Sequence, residues 1–401
     1  MAPNALSPQL PRHTVIVGGG IVGAATLFFS ARHPARLGAA ERSKLTLLEA
    51  TRELAPAASG KAGGFLAVDW HGEATASLAK LSFELHRQLA TEGGGATRWG
   101  YRNVETLQVN FDTATKSSSE CPKELNWINP KIVTSTKKLG GGGSTGQVTP
   151  KYLVEYLVEE ARKQEGVDVR LGTSVIALDT TGDGRVKGVR VRKSDGKEEL
   201  IECDRVVVAA GPWTGSLLRA LVPDWSARIP LELLQKGKSI DGSRAHSLVI
   251  RGKLPTTAHC LFTEIKYTAS DGSSRAAGPE VYCRGDGTVY LCGATDSVPL
   301  PKRADEVVCD FAEIARLLEQ ARVVGPNVFG EGAKVEKEQA CYLPGGPFSG
   351  PLIDGSADHG LFIASGHTCW GITLGPGTGK VMSELLYDGK AISADISKLQ
   401  A

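Results

Sequence analysis

The residues whose spacing most clearly predicts chemistry are three glycines near the start of the chain, in the segment VIVGGGIVGAA. Their GxGxxG spacing lets a buried strand turn tightly into a helix and brings backbone N–H groups against a pyrophosphate. The residues of this predicted turn are Gly18, Gly20, Ile21, Val22 and Gly23. The next apolar stretch, KLTLLEA, ends in Glu49, an acid that suits a ribose hydroxyl and would repel the extra phosphate of NADP. The front of the chain therefore predicts a dinucleotide site.

A second glycine-rich stretch, SGHTCWGITLGPGTGK, precedes the last predicted helix. We expect a glycine-rich turn there that presents unpaired N–H groups and the positive end of a helix dipole to an electron-rich ligand. The predicted contacts are Gly366, Gly371, Ile372 and Thr373.

A loop rich in Ala, Ser and Gly after Glu49 favours FAD over NAD, because a nicotinamide domain would continue with alternating strands and helices. Its candidate contacts are Ser59, Gly60, Lys61, Gly63 and Gly64. An ordinary flexible loop is the alternative.

The next helix and strands of the predicted dinucleotide-binding fold follow residue 148. Pro150 is expected to begin a helix with Leu153, Leu157 and Ala161 on one face. Three alternating strands with Asp-Gly turns then predict an inserted β-meander, followed by a central parallel strand, RVVVAAG. The cofactor contacts expected from this region are Val175, Ala210, Gly211 and Trp213.

Composition limits the class of protein. The chain has 401 residues, 41% of them hydrophobic, which predicts a globular protein of two domains. Lysine and arginine total 46 against 44 acids, which argues against a nucleic-acid partner. No apolar run approaches the roughly 20 residues of a membrane span, and neither a signal peptide nor a peroxisomal terminus is evident, so a cytoplasmic location is expected. The eight cysteines lack metal-site spacing, which predicts free thiols and no metal.

The motifs together resemble the FAD-dependent oxidoreductases of the D-amino acid oxidase, glycine oxidase and sarcosine oxidase superfamily. The resemblance rests on VIVGGGIVGAA, Glu49, ASGKAGG, VTPKYL, VVVAAGPWTGSLL, VYCRGDGTVYLCGATD and SGHTCWGITLGPGTG, spread from Thr14 to Lys380. It implies an α/β + β fold, in which a glutathione-reductase-type Rossmann domain binds FAD and carries the β-meander. That domain would comprise residues 10–70, 148–220 and 336–395, and a mixed β-sheet substrate domain would comprise residues 71–147 and 221–335.

The resemblance also implies the reaction. Family members oxidise a C–N bond of a small amine or amino-acid derivative, with hydride transfer to flavin N5, and O2 then reoxidises the flavin to give hydrogen peroxide and an imine. A dehydrogenase with a non-oxygen acceptor, a flavoprotein adaptor with little catalysis and an NAD-dependent dehydrogenase stay open as alternatives. The oligomeric state is not predicted.

The sequence departs from the family at the substrate. Leu343 stands where amino-acid-oxidising relatives often carry an arginine for the substrate carboxylate, and TVYLCGA lacks the lysine that sarcosine oxidase-type members use to activate oxygen. Either the substrate is an amine without the usual carboxylate, or another cation pairs with it; the candidates are Lys61, Lys236 and Arg284.

The remaining site candidates each have a structural alternative. Tyr282, Trp370 and Leu343 are expected to line the substrate pocket, although each aromatic side chain could equally pack in a core. By the resemblance, Cys341 aligns with a cysteine that binds flavin covalently, whereas a buried inert thiol is the commoner condition. His367 is expected to be structural rather than a catalytic base. Three Gly/Ser-rich segments, at residues 89–100, 110–130 and 137–147, are expected to be long loops.

Overall fold

The computed structural model describes residues 10–115, 117, 121–222 and 230–401, which form four β-sheets with helices packed against them. The strands are β1 (His13–Val17), β2 (Lys44–Leu48), β3 (Phe65–Ala67), β4 (Arg102–Asn103), β5 (Glu105–Asp112), β6 (Val133–Gly140), β7 (Thr145–Gln147), β8 (Val167–Arg170), β9 (Thr173–Thr180), β10 (Val186–Lys193), β11 (Glu198–Glu202), β12 (Arg205–Val208), β13 (Asp241–Arg251), β14 (His259–Thr268), β15 (Ser274–Ala277), β16 (Glu280–Cys283), β17 (Thr288–Asp296), β18 (Lys334–Gly345), β19 (Leu352–Ser356) and β20 (Leu361–Ser365). The helices are α1 (Ile21–Ala31), α2 (Pro34–Leu37), α3 (Ala58–Lys61), α4 (Glu73–Gly93), α5 (Gly95–Arg98), α6 (Pro150–Arg162), α7 (Thr214–Leu221), α8 (Leu231–Lys238), α9 (Phe311–Val324), α10 (Pro326–Phe329) and α11 (Gly371–Tyr387).

The front of the chain forms a six-stranded sheet in the order β19-β20-β12-β1-β2-β8. All neighbours are parallel except β19, which runs antiparallel to β20. The central strand β1 is apolar on both faces, and Val15 and Ile16 are fully buried because helices or loops cover each side. The carboxyl ends of the parallel strands meet at one edge, where a turn follows each of β1, β2 and β12.

The last helix differs from the expectation. We expected its glycines to form a turn before the helix, but α11 already begins at Gly371, and Gly375, Gly377 and Gly379 lie inside it. A Cβ atom on Gly379 would lie 2.4 Å from the carbonyl carbon of Ala25 in α1. Gly375 and Gly379 therefore let α11 pack closely on α1, and Gly377 lets it pack closely on α4, so the expectation was wrong for these inner glycines.

The predicted β-meander is present as the antiparallel three-stranded sheet β9-β10-β11. Its two turns contain Gly184 and Gly196, each with a φ of +85°, as the Asp-Gly signals indicated. The preceding helix α6 begins at Pro150, and its buried face includes Leu153 and Leu157.

A second large sheet follows the order β18-β13-β17-β16-β14-β5-β6, with β15 paired to β14. One face packs against α9 and α10 over the apolar core that contains Trp127. The opposite face carries alternate residues of the same strands, including Tyr282 and Tyr290, and is turned toward α3. A small antiparallel sheet has the order β3-β7-β4.

The expectation of long loops was wrong for residues 89–100, which α4 and α5 mostly occupy, and for residues 137–147, which contain the end of β6 and all of β7. In the segment 110–130, only the end of β5 is a strand, and the other described residues form turns, short 3-10 helices and irregular chain, as expected. Trp99 and Trp127 are 1% and 2% exposed, so both anchor cores rather than stand in surface insertions. Residues 116 and 118–120 of the second segment lie outside the described residues.

Two elements pack with the other part of the molecule than the expected domain bounds give them. Most of β18 lies in the range expected for the FAD domain, but β18 pairs with β13 in the second sheet, whereas α4, expected in the substrate domain, packs on α11. The exact division into two domains stays a prediction. Within the described ranges, no helix is long and apolar enough to span a bilayer, and no group of three His, Cys, Asp or Glu side chains is arranged to hold a metal ion.

Candidate cofactor and substrate site

A cavity of about 750 Å³ lies at the carboxyl edge of the six-stranded sheet. Segments that are far apart in the sequence form its walls: the turn after β1, the end of β2, α3, the turn after β12, and the start of α11. The predicted residues on the wall are Gly18, Gly20, Ile21, Val22, Glu49, Ser59, Val175, Ala210, Gly211, Trp213, Leu343, Gly371 and Ile372. The structure thus brings most of the predicted site residues to one cavity.

The glycine turn has the close contacts that its spacing requires. Gly18 has a φ of +119°, and a Cβ atom there would lie 2.3 Å from the carbonyl oxygen of Ala209. A Cβ atom on Gly23 would lie 1.9 Å from the carbonyl oxygen of Gly18, so the start of α1 packs directly on the turn. The first N–H groups of a helix lack intrahelical partners, and that of Ile21 donates to Ser59 Oγ at 3.0 Å. This end of α1 suits an anion.

Glu49 is fixed beside that turn. Its Oε2 accepts a hydrogen bond from the Gly19 N–H at 2.8 Å, and its Oε1 accepts one from the Thr51 N–H at 2.9 Å. Burial raises the pKa of Glu49, and these backbone bonds oppose the rise. A carboxylate has about four acceptor positions, so it retains capacity for a ligand hydroxyl.

The segment from Pro299 to Ala304, here called the strap, follows β17 of the second sheet and lines the cavity. Trp213 donates from Nε1 to the Pro301 carbonyl oxygen at 2.7 Å, and the Tyr342 hydroxyl donates to the Pro299 carbonyl oxygen at 2.9 Å. Sequence reasoning missed the strap, because a proline-rich connection after a strand carries no signal for what it covers.

The start of α11 is held by two side chains of α4. Pro376 has no N–H, so the carbonyl of Ile372 loses its usual partner in the helix. The ring of His86 takes that place, with Nε2 at 2.8 Å from the Ile372 oxygen. The Ser82 hydroxyl donates to the Thr373 carbonyl oxygen at 2.6 Å and accepts from the Gly377 N–H at 2.8 Å. These bonds fix the first turn of α11 at the cavity wall.

His86 is neutral in this setting. Burial lowers its pKa to about 4, so at neutral pH Nε2 carries the proton and donates to Ile372. Its Nδ1 is buried without a hydrogen-bond partner. Sequence reasoning missed Ser82 and His86. Their spacing of four, in line with the buried Leu78 and Leu89, was a usable signal, since it puts two polar side chains on the buried face of α4.

Several predicted contacts do not reach the cavity wall. Gly60, Gly63 and Gly64 serve close packing: an added Cβ atom would lie 2.1 Å from the Ala55 oxygen, 2.3 Å from the Tyr282 ring and 1.9 Å from the Val148 oxygen, respectively. Thr373 donates its hydroxyl to the Phe65 carbonyl oxygen instead. The other predicted residues that are not on this wall are Gly23, Lys61, Tyr282, Cys341, Gly366 and Trp370.

The three candidate cations are engaged elsewhere. Lys61 Nζ donates to the Ala340 carbonyl oxygen at 3.0 Å, and Lys236 Nζ donates to that of Gln400 at 2.9 Å. Arg284 is buried over the Tyr290 ring and donates to the Ala62 carbonyl oxygen at 2.9 Å, and burial lowers its pKa. None of the three lines the cavity.

Two further candidates are buried and uncharged at neutral pH. Burial raises the pKa of Cys341 to about 11, and the nearby charge of Lys61 only partly opposes that rise. Burial lowers the pKa of His367 to about 3, and its Nε2 lies 2.9 Å from Thr378 Oγ1. His367 borders the cavity as a neutral, hydrogen-bonded side chain.

The second sheet and the segments beside it contribute a group of aromatic residues, here called the aromatic cluster: Phe65, Trp70, Phe262, Tyr282 and Trp370. The buried Tyr282 donates its hydroxyl to the carboxylate of Glu280. Trp370 directly precedes α11, which brings the cluster to the edge of the cavity wall. Glu280 was not among the sequence candidates.

Comparison with known proteins agrees with this geometry. The chain is 36% identical over 398 residues to C1F5.03c of Schizosaccharomyces pombe, whose name is no more specific than oxidoreductase, and the match covers 97% of each chain. The glycine oxidase structure from Geobacillus kaustophilus superposes with a TM-score of 0.72 at 18% identity, over 97% of this chain and 98% of that one. The L-proline dehydrogenase structure from P. horikoshii superposes with a TM-score of 0.70 at 16% identity, over 98% and 97%.

The profile of the family described as FAD dependent oxidoreductase matches residues 13–385. That span contains the glycine turn, the cavity and the last helix, and FAD is the cofactor of this family. The chain therefore belongs to the DAO family of FAD dependent oxidoreductases.

Proposed function

We propose that this oxidoreductase acts on the C–N bond of a small amine or amino-acid derivative, and that its FAD lies in the cavity described above. The supporting observation is that one cavity joins the Gly18–Val22 turn to the start of α11, close to the side chains of the second sheet. FAD has an adenosine at one end, a redox ring at the other and a diphosphate between them, so it needs such an extended site.

The residues present fit FAD. The wall at Gly18, Gly20 and Gly211 has no side chains, so a ligand can approach the backbone closely. The end of α1 would hold the diphosphate, and Glu49 would accept a ribose hydroxyl. Val175, Ala210 and Trp213 would border the adenosine half.

The redox end would lie against α11. When bound, FAD supplies the group that accepts a hydride from the substrate carbon. The N–H groups of Gly371 and Ile372, with the positive end of the helix dipole, favour negative charge at that place. Ser82 and His86 keep those N–H groups in position through the carbonyls of the same turn.

The substrate end of the site argues for an amine. Leu343 lines the cavity where related enzymes that oxidise amino acids often carry an arginine, and Lys61, Lys236 and Arg284 do not reach the wall. The basic residues that do line it, Arg219, Lys302 and Arg303, lie on α7 and the strap, next to Trp213. A carboxylate buried there would be unpaired, which is costly.

An absorbance spectrum of the purified protein tests the proposal first. We expect a flavin spectrum, and flavin released on acid precipitation, because the thiol of Cys341 is protonated at neutral pH. Anaerobic mixing with a panel of amines and amino acids should bleach that spectrum with at least one compound. Failure of every amine and amino acid to bleach it would overturn the proposed reaction and favour an adaptor.

A dehydrogenase that uses another electron acceptor is the second candidate. It is favoured by the lack of a lysine that could activate O2 in the way of sarcosine oxidase-type enzymes. Strand β17 contains no lysine, and Lys61 donates to the Ala340 carbonyl oxygen and does not line the cavity. Hydrogen peroxide formed in step with substrate oxidation would support the oxidase. Dye reduction without peroxide would support the dehydrogenase.

A further inference from the structure

We propose that Glu280 and the aromatic cluster bind the cationic nitrogen of the substrate, and that the substrate is therefore a methylated amine without a carboxylate beside the reacting carbon. This inference rests on the proposed function and names the substrate class of that same site.

Sheet register places Glu280 on the face of the second sheet that is turned toward the cofactor side. It pairs with Phe262 of β14 and with Cys292 of β17. Side chains alternate along a strand, so Glu280 and Tyr282 share this face while Val281 belongs to the apolar core behind it. The carboxylate therefore stands among aromatic side chains.

The aromatic cluster connects Glu280 to the cavity wall. Cys369 lines the cavity and directly precedes Trp370 of the cluster. Trp370 packs on Trp70, and Trp70 packs on Phe262, the residue opposite Glu280 in the sheet.

The rings leave part of their surface open. The ring centroids of Trp70 and Phe262 are 4.9 Å apart, those of Phe65 and Trp70 5.1 Å, and those of Trp70 and Trp370 6.3 Å. All four of these side chains are only half-buried, unlike aromatic residues of a closed core. Aromatic faces attract cations, most strongly where water is excluded, and quaternary or methylated ammonium groups are bound in this way.

The charge at Glu280 is uncompensated. Its Oε2 accepts hydrogen bonds from the Tyr282 hydroxyl and, at 3.5 Å, from the Cys292 thiol. Among the described residues, no lysine or arginine nitrogen lies within ion-pair distance of the Glu280 carboxylate. The ion pairs of this part of the chain involve other acids, as for Arg244 with Asp296 and Lys380 with Glu384.

A half-buried carboxylate without a cation costs free energy that a cationic ligand would recover. At the other wall, Leu343 offers nothing to a substrate carboxylate. The part of the site near Glu280 and Leu343 is therefore suited to positive charge and unsuited to negative charge, the reverse of a site for amino acids. The cations that line the cavity, Arg219, Lys302 and Arg303, stand on α7 and the strap beside Trp213.

Binding of benzyltrimethylammonium to the FAD-loaded enzyme tests the inference, with benzoate as the aromatic anion for comparison. The quaternary nitrogen of this cation has no free electron pair, so the compound is not oxidised as an amine and its binding can be measured at equilibrium. The flavin difference spectrum and tryptophan fluorescence report the binding. We expect the cation to bind at least tenfold more tightly than benzoate. Equal or tighter binding of benzoate would overturn the inference.

Variants locate the cation. Glu280→Gln keeps the side-chain shape and should weaken binding of the cation by about tenfold or more, while Phe262→Leu should weaken it by removing one aromatic face. Glu264→Gln, at an exposed position of β14, is the matched control and should leave binding unchanged. Unchanged binding in both Glu280→Gln and Phe262→Leu would place the cation elsewhere and overturn the assignment.

A reduction panel separates this inference from the proposed function. Bleaching by α-amino acids, but not by N-methylated amines that lack a carboxylate, would leave C–N oxidation intact and overturn the substrate class. Cation binding that depends on Glu280, without bleaching by any amine, would support the binding site and overturn the proposed function.

Discussion

Glu49 shows how one carboxylate supports both the fold and the predicted cofactor site. It is 7% exposed and accepts backbone hydrogen bonds from Gly19 and Thr51. In Glu49→Gln, one of these N–H groups faces the amide nitrogen and loses its acceptor. We expect the free energy of unfolding to fall by about 1–3 kcal/mol, and the dissociation constant for FAD to rise by about tenfold or more.

Denaturant unfolding of the apoprotein and a fluorescence titration with FAD measure the two effects of Glu49→Gln separately. Glu53→Gln is the control, because Glu53 is exposed and forms only a surface ion pair with Lys151, at 2.8 Å. An unchanged FAD affinity in Glu49→Gln would contradict the assigned contact with the ribose.

His86 predicts a pH dependence of stability. Its pKa is about 4 in the folded protein against an ordinary value of 6.5. Between these values the unfolded chain binds a proton that the folded protein does not, so stability rises with pH through this window and is complete above it. One such group contributes a slope of at most about 1.4 kcal/mol per pH unit.

The variant His86→Gln isolates that contribution, since glutamine can still donate to the Ile372 carbonyl but does not titrate. Denaturant unfolding from pH 4 to pH 7.5 should show a smaller slope in the variant, with similar stability at pH 7.5. His367, whose pKa is about 3, keeps some slope in both proteins. Identical slopes would mean that His86 is not the neutral donor described here.

At the scale of the element, α11 depends on glycine for its approach to α1. A Cβ atom on Gly379 would lie 2.4 Å from the Ala25 carbonyl carbon and 2.6 Å from the Thr26 nitrogen, both in the backbone. Gly379→Ala should therefore lower the free energy of unfolding by about 1–3 kcal/mol, although alanine favours helix formation.

Thermal unfolding of the holoenzyme measures the effect of Gly379→Ala. Gly72→Ala is the control, because no atom lies within 4 Å of a Cβ atom added there. If Gly379→Ala were as stable as the control, the close packing of the two helices would not limit stability.

The same helix shows which features of the structure can be predicted from the sequence and which cannot. The GxGxxG turn, the helix from Pro150 and the meander follow local rules of spacing and turn type, and these predictions were confirmed. The glycines inside α11 obey no local rule, because their partners, Ile21 and Ala25 of α1 and Ser82 of α4, stand far earlier in the chain. For the same reason, neither the bonds of Ser82 and His86 nor the charge of Glu280 among aromatic rings was predictable from the chain alone.

At the scale of the whole molecule, parts of both large sheets line the cavity. The turns of the six-stranded sheet form one side, and the strap after β17 of the second sheet lines it as well. A ligand held between them binds the folded protein and not the unfolded one, so FAD at a hundred times its dissociation constant would add about 2.7 kcal/mol of stability.

We expect the strap to affect the rate at which FAD is released. Tyr342 holds Pro299 through its hydroxyl, and its ring is not part of the cavity wall. Tyr342→Phe should therefore speed FAD release by about two- to tenfold, since a lost hydrogen bond of about 0.5–1.5 kcal/mol favours the open strap. The rate can be followed as the rise of free flavin fluorescence after dilution of the holoenzyme. Tyr152→Phe, at a side chain that is 50% exposed on α6, should release FAD at the rate of the unmodified protein. Equal rates in all three proteins would mean that the cofactor leaves by a path that the strap does not cover.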